Sequence, residues 1–274
     1  MHDLPLNQAA GLLGLARPAG AQLLAMVSHG DDKTELPLLW RLCTAMTELG
    51  YAVTVLDATK AESDANPGLQ QLMDYRFGYG ASDFAALHTD ALDWTIVPSA
   101  QGIQSLCQLQ THTHNKRMQS LHRIGQLFPS NGVIILYAGV DALVQMLGGT
   151  TCRPLLTVAQ DKSSLLTSYL ALKRLLLKAQ LTPAILNMMA EPRQGSAAYA
   201  NSVAGNLSEC ARNFLGFEVN ATYIDPHQPE QALGAEMRRL STRMLENALV
   251  LSNAPAMLGI PGAHHDAGYL SRSH

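Results

Sequence analysis

Short apolar segments alternate with longer stretches of helical period along most of this chain, and this alternation is the feature that most constrains its fold. Seven segments of four to six residues are apolar on both faces of a pleated strand. Such a pattern is typical of strands that are covered by helices on both sides. These segments are Gln22–Val27, Ala52–Leu56, Trp94–Val97, Val133–Ala138, Leu155–Val158, Ala184–Met188 and the weaker Ala221–Ile224.

The stretches between these strands have the period of helices. They are Thr34–Leu49, Pro67–Met73, Gln101–Leu127, Asp141–Leu147, Ser163–Lys178, Ala197–Leu215 and Gln228–Leu251. Strand, helix and strand in repeated succession predict an α/β fold with a doubly wound, mostly parallel sheet of about seven strands and helices on both faces. A helical bundle is the alternative, but Val133–Ala138 and Ala52–Leu56 are too short and too sharply bounded for helices.

Composition excludes several classes of protein. The 19 basic and 22 acidic residues among 274 give a net charge of −3, which argues against nucleic-acid binding by phosphate neutralisation. The four cysteines form no CxxC pair, so neither a zinc site nor a disulfide framework is predicted. No signal peptide or membrane-spanning stretch is visible, which predicts a cytoplasmic protein. We expect one α/β domain over residues 19–252, an N-terminal appendage over 1–18 and a disordered tail over 253–274.

The turn after the first strand is the place where a doubly wound sheet would hold a ligand. Residues 27–35 read VSHGDDKTE, and a strand, a turn ending in Lys-Thr and a helix form the skeleton of a phosphate-binding loop. Gly30, Lys33 and Thr34 are the residues that fit this skeleton. By themselves these residues are also typical of an ordinary helix start with Thr34 or Asp32 as N-cap.

Asp31 and Asp32 stand where such a loop needs glycine amides. A carboxylate ~4–6 Å from a triphosphate would cost roughly 3–4 kcal/mol at an effective dielectric near 20. The loop is therefore poorly suited to bind a nucleotide.

Several segments, in the same order along the chain, resemble the MinD/ParA-like ATPases, a P-loop family of the SIMIBI class. AMVSHGDDKT resembles the family's KGGVGKT loop, VTVLDAT its strand ending in LLDAD, and IILYAG its Walker B strand IIIDTGAG. The stretch from Leu155 to Lys173, the strand with Asn187 and the turn at 223–226 are similar to later family segments. The resemblance implies a vestigial nucleotide site of Gly30, Lys33, Thr34, Asp57 and Asn187.

The N-terminal residues LNQAAGLL resemble the DQAxxLR segment of FlhG (FleN or YlxH) proteins, and RNFLG at 212–216 resembles another segment of theirs. FlhG proteins regulate flagellar number and placement, and their N-terminal helix stimulates an FlhF-type GTPase. The resemblance implies a partner-binding segment with Asn7, Gln8 and Leu12, and an FlhF-type GTPase or flagellar components as partners. The alternative is an apolar stripe that packs on the domain itself.

The departures from the family fall on its catalytic positions. His29 replaces the signature lysine, Thr59 the second aspartate of DAD, and Tyr137 the Walker B aspartate. Phosphoryl transfer depends on positioning and electrostatic stabilisation by such groups. We therefore predict an FlhG-like pseudo-ATPase, a regulator or scaffold with no catalytic residues and no cofactor. The alternatives are an active ATPase that uses ATP and magnesium in an atypical loop, or an activator of an FlhF-type GTPase.

Two other groups of residues are interpreted as surface. The histidines at 112, 114 and 122 have no carboxylate nearby, so we predict no metal site. Arg238, Arg239 and Arg243 lie on an amphipathic helix of the kind that binds membranes in this family, but its acidic residues dilute the charge. From this helix we expect no peripheral membrane contact, and either a monomer or a homodimer fits the sequence.

Overall fold

A central sheet of eight strands organises the computed structural model, which describes residues 20–77, 94–108, 114–159, 162–188 and 205–251. The strands follow the order β3-β2-β4-β1-β5-β6-β7, and β8 pairs with β1. All pairings are parallel except that of β8, which is antiparallel to β1. The strands are β1 Ala21–Ser28, β2 Val53–Asp57, β3 Trp94–Pro98, β4 Val133–Gly139, β5 Leu155–Val158, β6 Ala184–Met188, β7 Ala221–Ile224 and β8 Leu249–Leu251.

Helices cover both faces of the sheet. They are α1 Asp32–Glu48, α2 Leu69–Phe77, α3 Ala100–Gln108, α4 His114–Leu127, α5 Val140–Leu147, α6 Lys162–Ala179, α7 over 205–215 and α8 Glu230–Glu246; the last five residues of α7, Ala211–Leu215, are π-helical. One apolar layer packs α1 and α8 on the sheet, and the other packs α2 to α7 on the opposite face. The predicted doubly wound α/β fold is confirmed.

Alternate residues of β1 show how the sequence builds these two layers. Leu23, Ala25 and Val27 face the layer of α2 to α7, whereas Leu24 and Met26 face the layer of α1 and α8. A strand that is buried on both faces must be apolar at every position, and this requirement explains why all seven predicted strands are present.

The stretch predicted as one helix over Gln101–Leu127 contains α3 and α4, and residues 109–113 between them lie outside the described ranges. Each part buries its own apolar residues, which are Ile103 and Leu106 in α3 and Leu121 and Ile124 in α4. The predicted helical period is therefore confirmed on both sides of residues 109–113.

The helix predicted at the end of the domain is corrected. The helix predicted over Gln228–Leu251 ends at Glu246, where the Asn247 side chain donates to the Arg243 carbonyl at 2.7 Å. The next residues form β8, which pairs with residues 21–23 of β1. Since β5 pairs with β1 only at Met26, the first half of β1 has an open edge that β8 fills. Unpaired strand edges favour such pairing over a continued helix.

No helix within the described ranges is long and apolar enough to cross a membrane. The predicted N-terminal appendage and C-terminal tail lie outside the described residues and stay predictions.

Candidate functional site

The turn between β1 and α1 lies at the carboxyl edge of the sheet, between the ends of β4 and β5. This edge is where parallel α/β sheets hold their ligands. Gly30 has a φ of 92°, a left-handed conformation that favours glycine, and α1 begins two residues later at Asp32. The position and the strand-turn-helix order agree with the predicted phosphate loop. Its internal hydrogen bonds differ from those of a loop that holds phosphate.

A carboxylate from the first turn of α1 closes this loop. The Glu35 side chain is fully buried, and its Oε1 accepts hydrogen bonds from the backbone N–H groups of His29 at 3.1 Å and Asp31 at 3.2 Å. The predicted N-cap role of Thr34 or Asp32 is wrong, because the residue that flanks the helix is Asp31 and its side chain makes no capping bond. Glu35 instead caps from inside the helix, because its carboxylate reaches back to the N–H groups that precede α1, which is the acidic half of a capping box.

Tyr137 holds the second oxygen of this carboxylate. Its hydroxyl donates a short hydrogen bond to Glu35 Oε2, and the ring on β4 is buried on the same face of the sheet as α1. Burial, followed by the hydrogen bond to Glu35, raises the pKa of Tyr137 well above its ordinary value of 10. The phenol is therefore a neutral donor at the position where the resemblance places a magnesium-binding aspartate.

The raised pKa of Tyr137 predicts an alkaline loss of stability. Because the folded state holds this proton more tightly than the unfolded state, Tyr137 stabilises the fold below pH 10 and loses that contribution as the pH rises above it. Urea unfolding at several pH values should show a steeper fall above pH 10 for the wild type than for Tyr137→Phe. Equal slopes for both proteins would contradict the prediction.

His29 ties the loop to the neighbouring strand and helix. Its Nε2 lies 2.8 Å from the Thr157 carbonyl on β5 and 3.3 Å from Glu35 Oε1. Since a carbonyl only accepts, Nε2 carries the hydrogen. Nδ1 lies 3.3 Å from the Thr167 hydroxyl on α6. His29, which the resemblance places at the signature lysine, is thus a bridge with a buried side chain between the loop, β5 and α6.

The residues of the loop do not fit a nucleoside triphosphate with magnesium. The amides of His29 and Asp31 already donate to Glu35, and a phosphate at the same place would face that buried carboxylate. Two unit charges about 4 Å apart repel by about 4 kcal/mol at an effective dielectric near 20, which corresponds to about a thousandfold in affinity.

The other predicted site residues lie around this loop. Lys33 is exposed and Thr34 is buried, both in the first turn of α1. Asp57, at the end of β2, accepts from the backbone N–H of Thr59 at 2.9 Å and from its hydroxyl at 2.6 Å. It therefore closes a local turn.

Asn187 is fully buried in β6, two strands from β1. The predicted partner-binding residues Asn7, Gln8 and Leu12 lie outside the described residues.

Glu35 is the site residue that sequence reasoning missed. One signal was available, because Glu35 lies in the first turn of α1, from where an acidic side chain can reach back to the N–H groups that precede the helix. Its long-range partner Tyr137, 102 positions away, could not be read from any local pattern.

Other reactive groups form no second site in the described part of the chain. There, no cluster of three histidine, cysteine or acidic side chains could hold a metal ion. The Nε2 atom of His122 lies 2.8 Å from Nε2 of Gln126 on the same helix, and His112 lies outside the described residues. Burial raises the pKa of Cys43 and of Cys152 to about 12, so both thiols are protonated at neutral pH and poor nucleophiles.

Comparison with known proteins identifies the fold. No protein-family model matches the chain, and no curated protein matches it. Among solved structures, cobyrinic acid a,c-diamide synthase from Mycobacterium smegmatis with bound ADP and magnesium is 11% identical, with a TM-score of 0.52 over 82% of this chain and 94% of that chain.

Two further structures match over a similar length. The ParA family ATPase of Chlorobium tepidum TLS is 11% identical, with a TM-score of 0.46 over 83% of this chain and 91% of its own. The MinC:MinD cell division protein complex of Aquifex aeolicus is 11% identical, with a TM-score of 0.46 over 82% and 93%. At this level of identity the likeness to the synthase shows the fold alone: the chain has the mostly parallel α/β fold of that synthase.

Proposed function

We propose that this chain is an FlhG-like pseudo-ATPase, a regulator or scaffold of flagellar or other polar assembly that acts through protein partners and does not hydrolyse ATP. Its partners would be flagellar components or an FlhF-type GTPase, bound in part through the segment with Asn7, Gln8 and Leu12. The observation that supports the loss of ATP chemistry is the buried Glu35 carboxylate, which receives two amides of the loop and the Tyr137 hydroxyl.

A phosphate-binding loop works because its backbone N–H groups have no internal acceptor and point at the ligand. Here an anion that belongs to the helix itself has taken the place of the ligand. A nucleotide would have to displace Glu35 from its donors and leave a charged carboxylate buried without partners, which costs several kcal/mol. Nucleotide binding is therefore opposed by the folded state itself.

The groups that hydrolysis needs are also engaged elsewhere. Tyr137 offers a neutral hydroxyl in place of a carboxylate, and Thr59 donates its hydroxyl to Asp57. Neither side chain can supply the charge that positions magnesium or an attacking water. These contacts support a role that does not depend on a nucleotide cycle.

Thermal unfolding with and without Mg-ATP tests this proposal. A ligand that binds only the folded state at 100 times its Kd adds about 2.7 kcal/mol of stability, so a nucleotide-binding protein would melt several degrees higher. We expect the same melting temperature with and without Mg-ATP. In a phosphate-release assay, wild type and Lys33→Ala should show the same background rate. A rise in melting temperature that Lys33→Ala abolishes would instead support an active ATPase with an atypical loop.

A further inference from the structure

The outer face of α6 exposes a row of leucines. Leu166, Leu170 and Leu177 are 60%, 49% and 52% exposed, respectively. On a helix of 3.6 residues per turn they fall within an arc of about 40° and extend for about 16 Å along the axis. Three large exposed apolar side chains on one line of a helix are more than isolated surface residues, and grouped exposed apolar side chains mark interaction sites.

Every charged residue of α6 is a cation. The helix sequence contains two lysines and one arginine after its first turn and no acidic residue. Arg174 pairs with Asp141 on α5 at 3.0 Å. Within the described ranges, no carboxylate lies within ion-pair distance of Lys173 or Lys178, the two cations that flank the leucines. The face therefore combines apolar side chains with unneutralised positive charge.

Phe214, an aromatic residue near the end of α7, is also exposed. The π-helical end of α7 packs against α6, and Leu215 packs on the core while Phe214 beside it is 76% exposed. Gly216, with a φ of 72°, ends this turn. Leu215 thus anchors this segment, and the side chain of Phe214 extends into solvent.

Shape and charge together indicate what this face contacts. The leucines and Phe214 are exposed, and the cavities lined by α1, by α8 and by β7 include no residue of α6. A second copy of the chain would place the lysines of one α6 against those of the other. An anionic bilayer accepts protruding apolar side chains among its acyl chains and attracts lysines at its surface.

We propose that the outer face of α6, together with Phe214, binds the surface of an anionic membrane. The expectation of no membrane contact was drawn from the C-terminal helix, α8, which carries acidic residues and buries Leu233, Met237, Leu240 and Met244. Helix α6 lies on the opposite face of the sheet, carries no acidic residue and leaves three leucines exposed on its outer side. The membrane proposal does not depend on whether a nucleotide binds, so it and the proposed pseudo-ATPase function can fail separately.

Sedimentation of the full chain with lipid vesicles tests the proposal. At low salt, the wild type should bind vesicles of phosphatidylcholine and phosphatidylglycerol and not vesicles of phosphatidylcholine alone. Leu170→Asp should lower the partition coefficient at least tenfold, because a carboxylate replaces an inserted side chain. Lys173→Ala with Lys178→Ala should lower it by about 25-fold, since each cation near an anionic surface contributes about fivefold.

The matched control is Leu36→Asp on α1, on the other face of the sheet, where a leucine is 43% exposed. This variant should bind as the wild type does, and melting curves should show that all variants are folded. Failure of the wild type to bind anionic vesicles would overturn the proposal, as would equal binding by Leu170→Asp and Leu36→Asp. If Leu170→Asp instead converts a dimer to a monomer, or if the face binds an acidic helical peptide and no vesicle, the membrane proposal is also overturned.

Discussion

Glu35→Ala is expected to lower the free energy of unfolding by about 3–5 kcal/mol. The substitution leaves the half-buried N–H groups of His29 and Asp31 and the buried hydroxyl of Tyr137 without their acceptor. Each unsatisfied buried donor costs about 1–3 kcal/mol. Urea unfolding of the wild type and the variant measures the difference in unfolding free energy. The slope of that free energy against urea concentration should be the same for both proteins.

Asp32→Ala is the matched control for this prediction. Asp32 is an acidic residue of the same helical turn, and within the described ranges its carboxylate makes no hydrogen bond or ion pair. Its loss should therefore cost less than about 1 kcal/mol through the helix dipole. Tyr137→Phe removes only one donor, so its loss of unfolding free energy should lie between those of Glu35→Ala and Asp32→Ala. A Glu35→Ala protein as stable as Asp32→Ala would contradict the role assigned to this carboxylate.

Glu62→Ala is expected to destabilise the fold by about 2–4 kcal/mol. The Glu62 side chain is 4% exposed and accepts the backbone N–H groups of Gln70 at 3.2 Å, Gln101 at 2.6 Å and Gly102 at 3.0 Å. These groups lie in the first turns of α2 and α3, where N–H groups have no partner within the helix. One carboxylate thus caps two helices and favours both helix dipoles.

Asp64→Ala serves as the control, because Asp64 is an exposed acid two residues away. Its removal should change the free energy of unfolding by no more than about 0.5 kcal/mol. Thermal or urea unfolding of the two variants gives the comparison. If both variants unfold at the same urea concentration or temperature as the wild type, Glu62 does not stabilise the two helices in this way.

The sequence predicted the parts of the fold that depend on local pattern. A strand that is buried on both faces must be apolar throughout, and each helix must bury a periodic face, so seven strands and most helices could be located. Strand β8 escaped prediction because Leu249–Leu251 has no strand signal apart from the open edge of β1. That edge exists only after β4 and β5 have taken their places in the sheet.

The candidate site, too, depends partly on local sequence pattern and partly on contacts between distant residues. The order of strand, turn and helix placed a loop with Gly30, Lys33 and Thr34 at the carboxyl edge of the sheet, because parallel strands bring their ends to one side. The resemblance to the MinD/ParA-like ATPases also predicted that His29 and Tyr137 stand where that family carries charged groups. Only the tertiary structure decided what fills the loop. Bonds between Glu35 and Tyr137, and between His29 and Thr157, join residues more than a hundred positions apart, and folding alone brings such residues within hydrogen-bond distance.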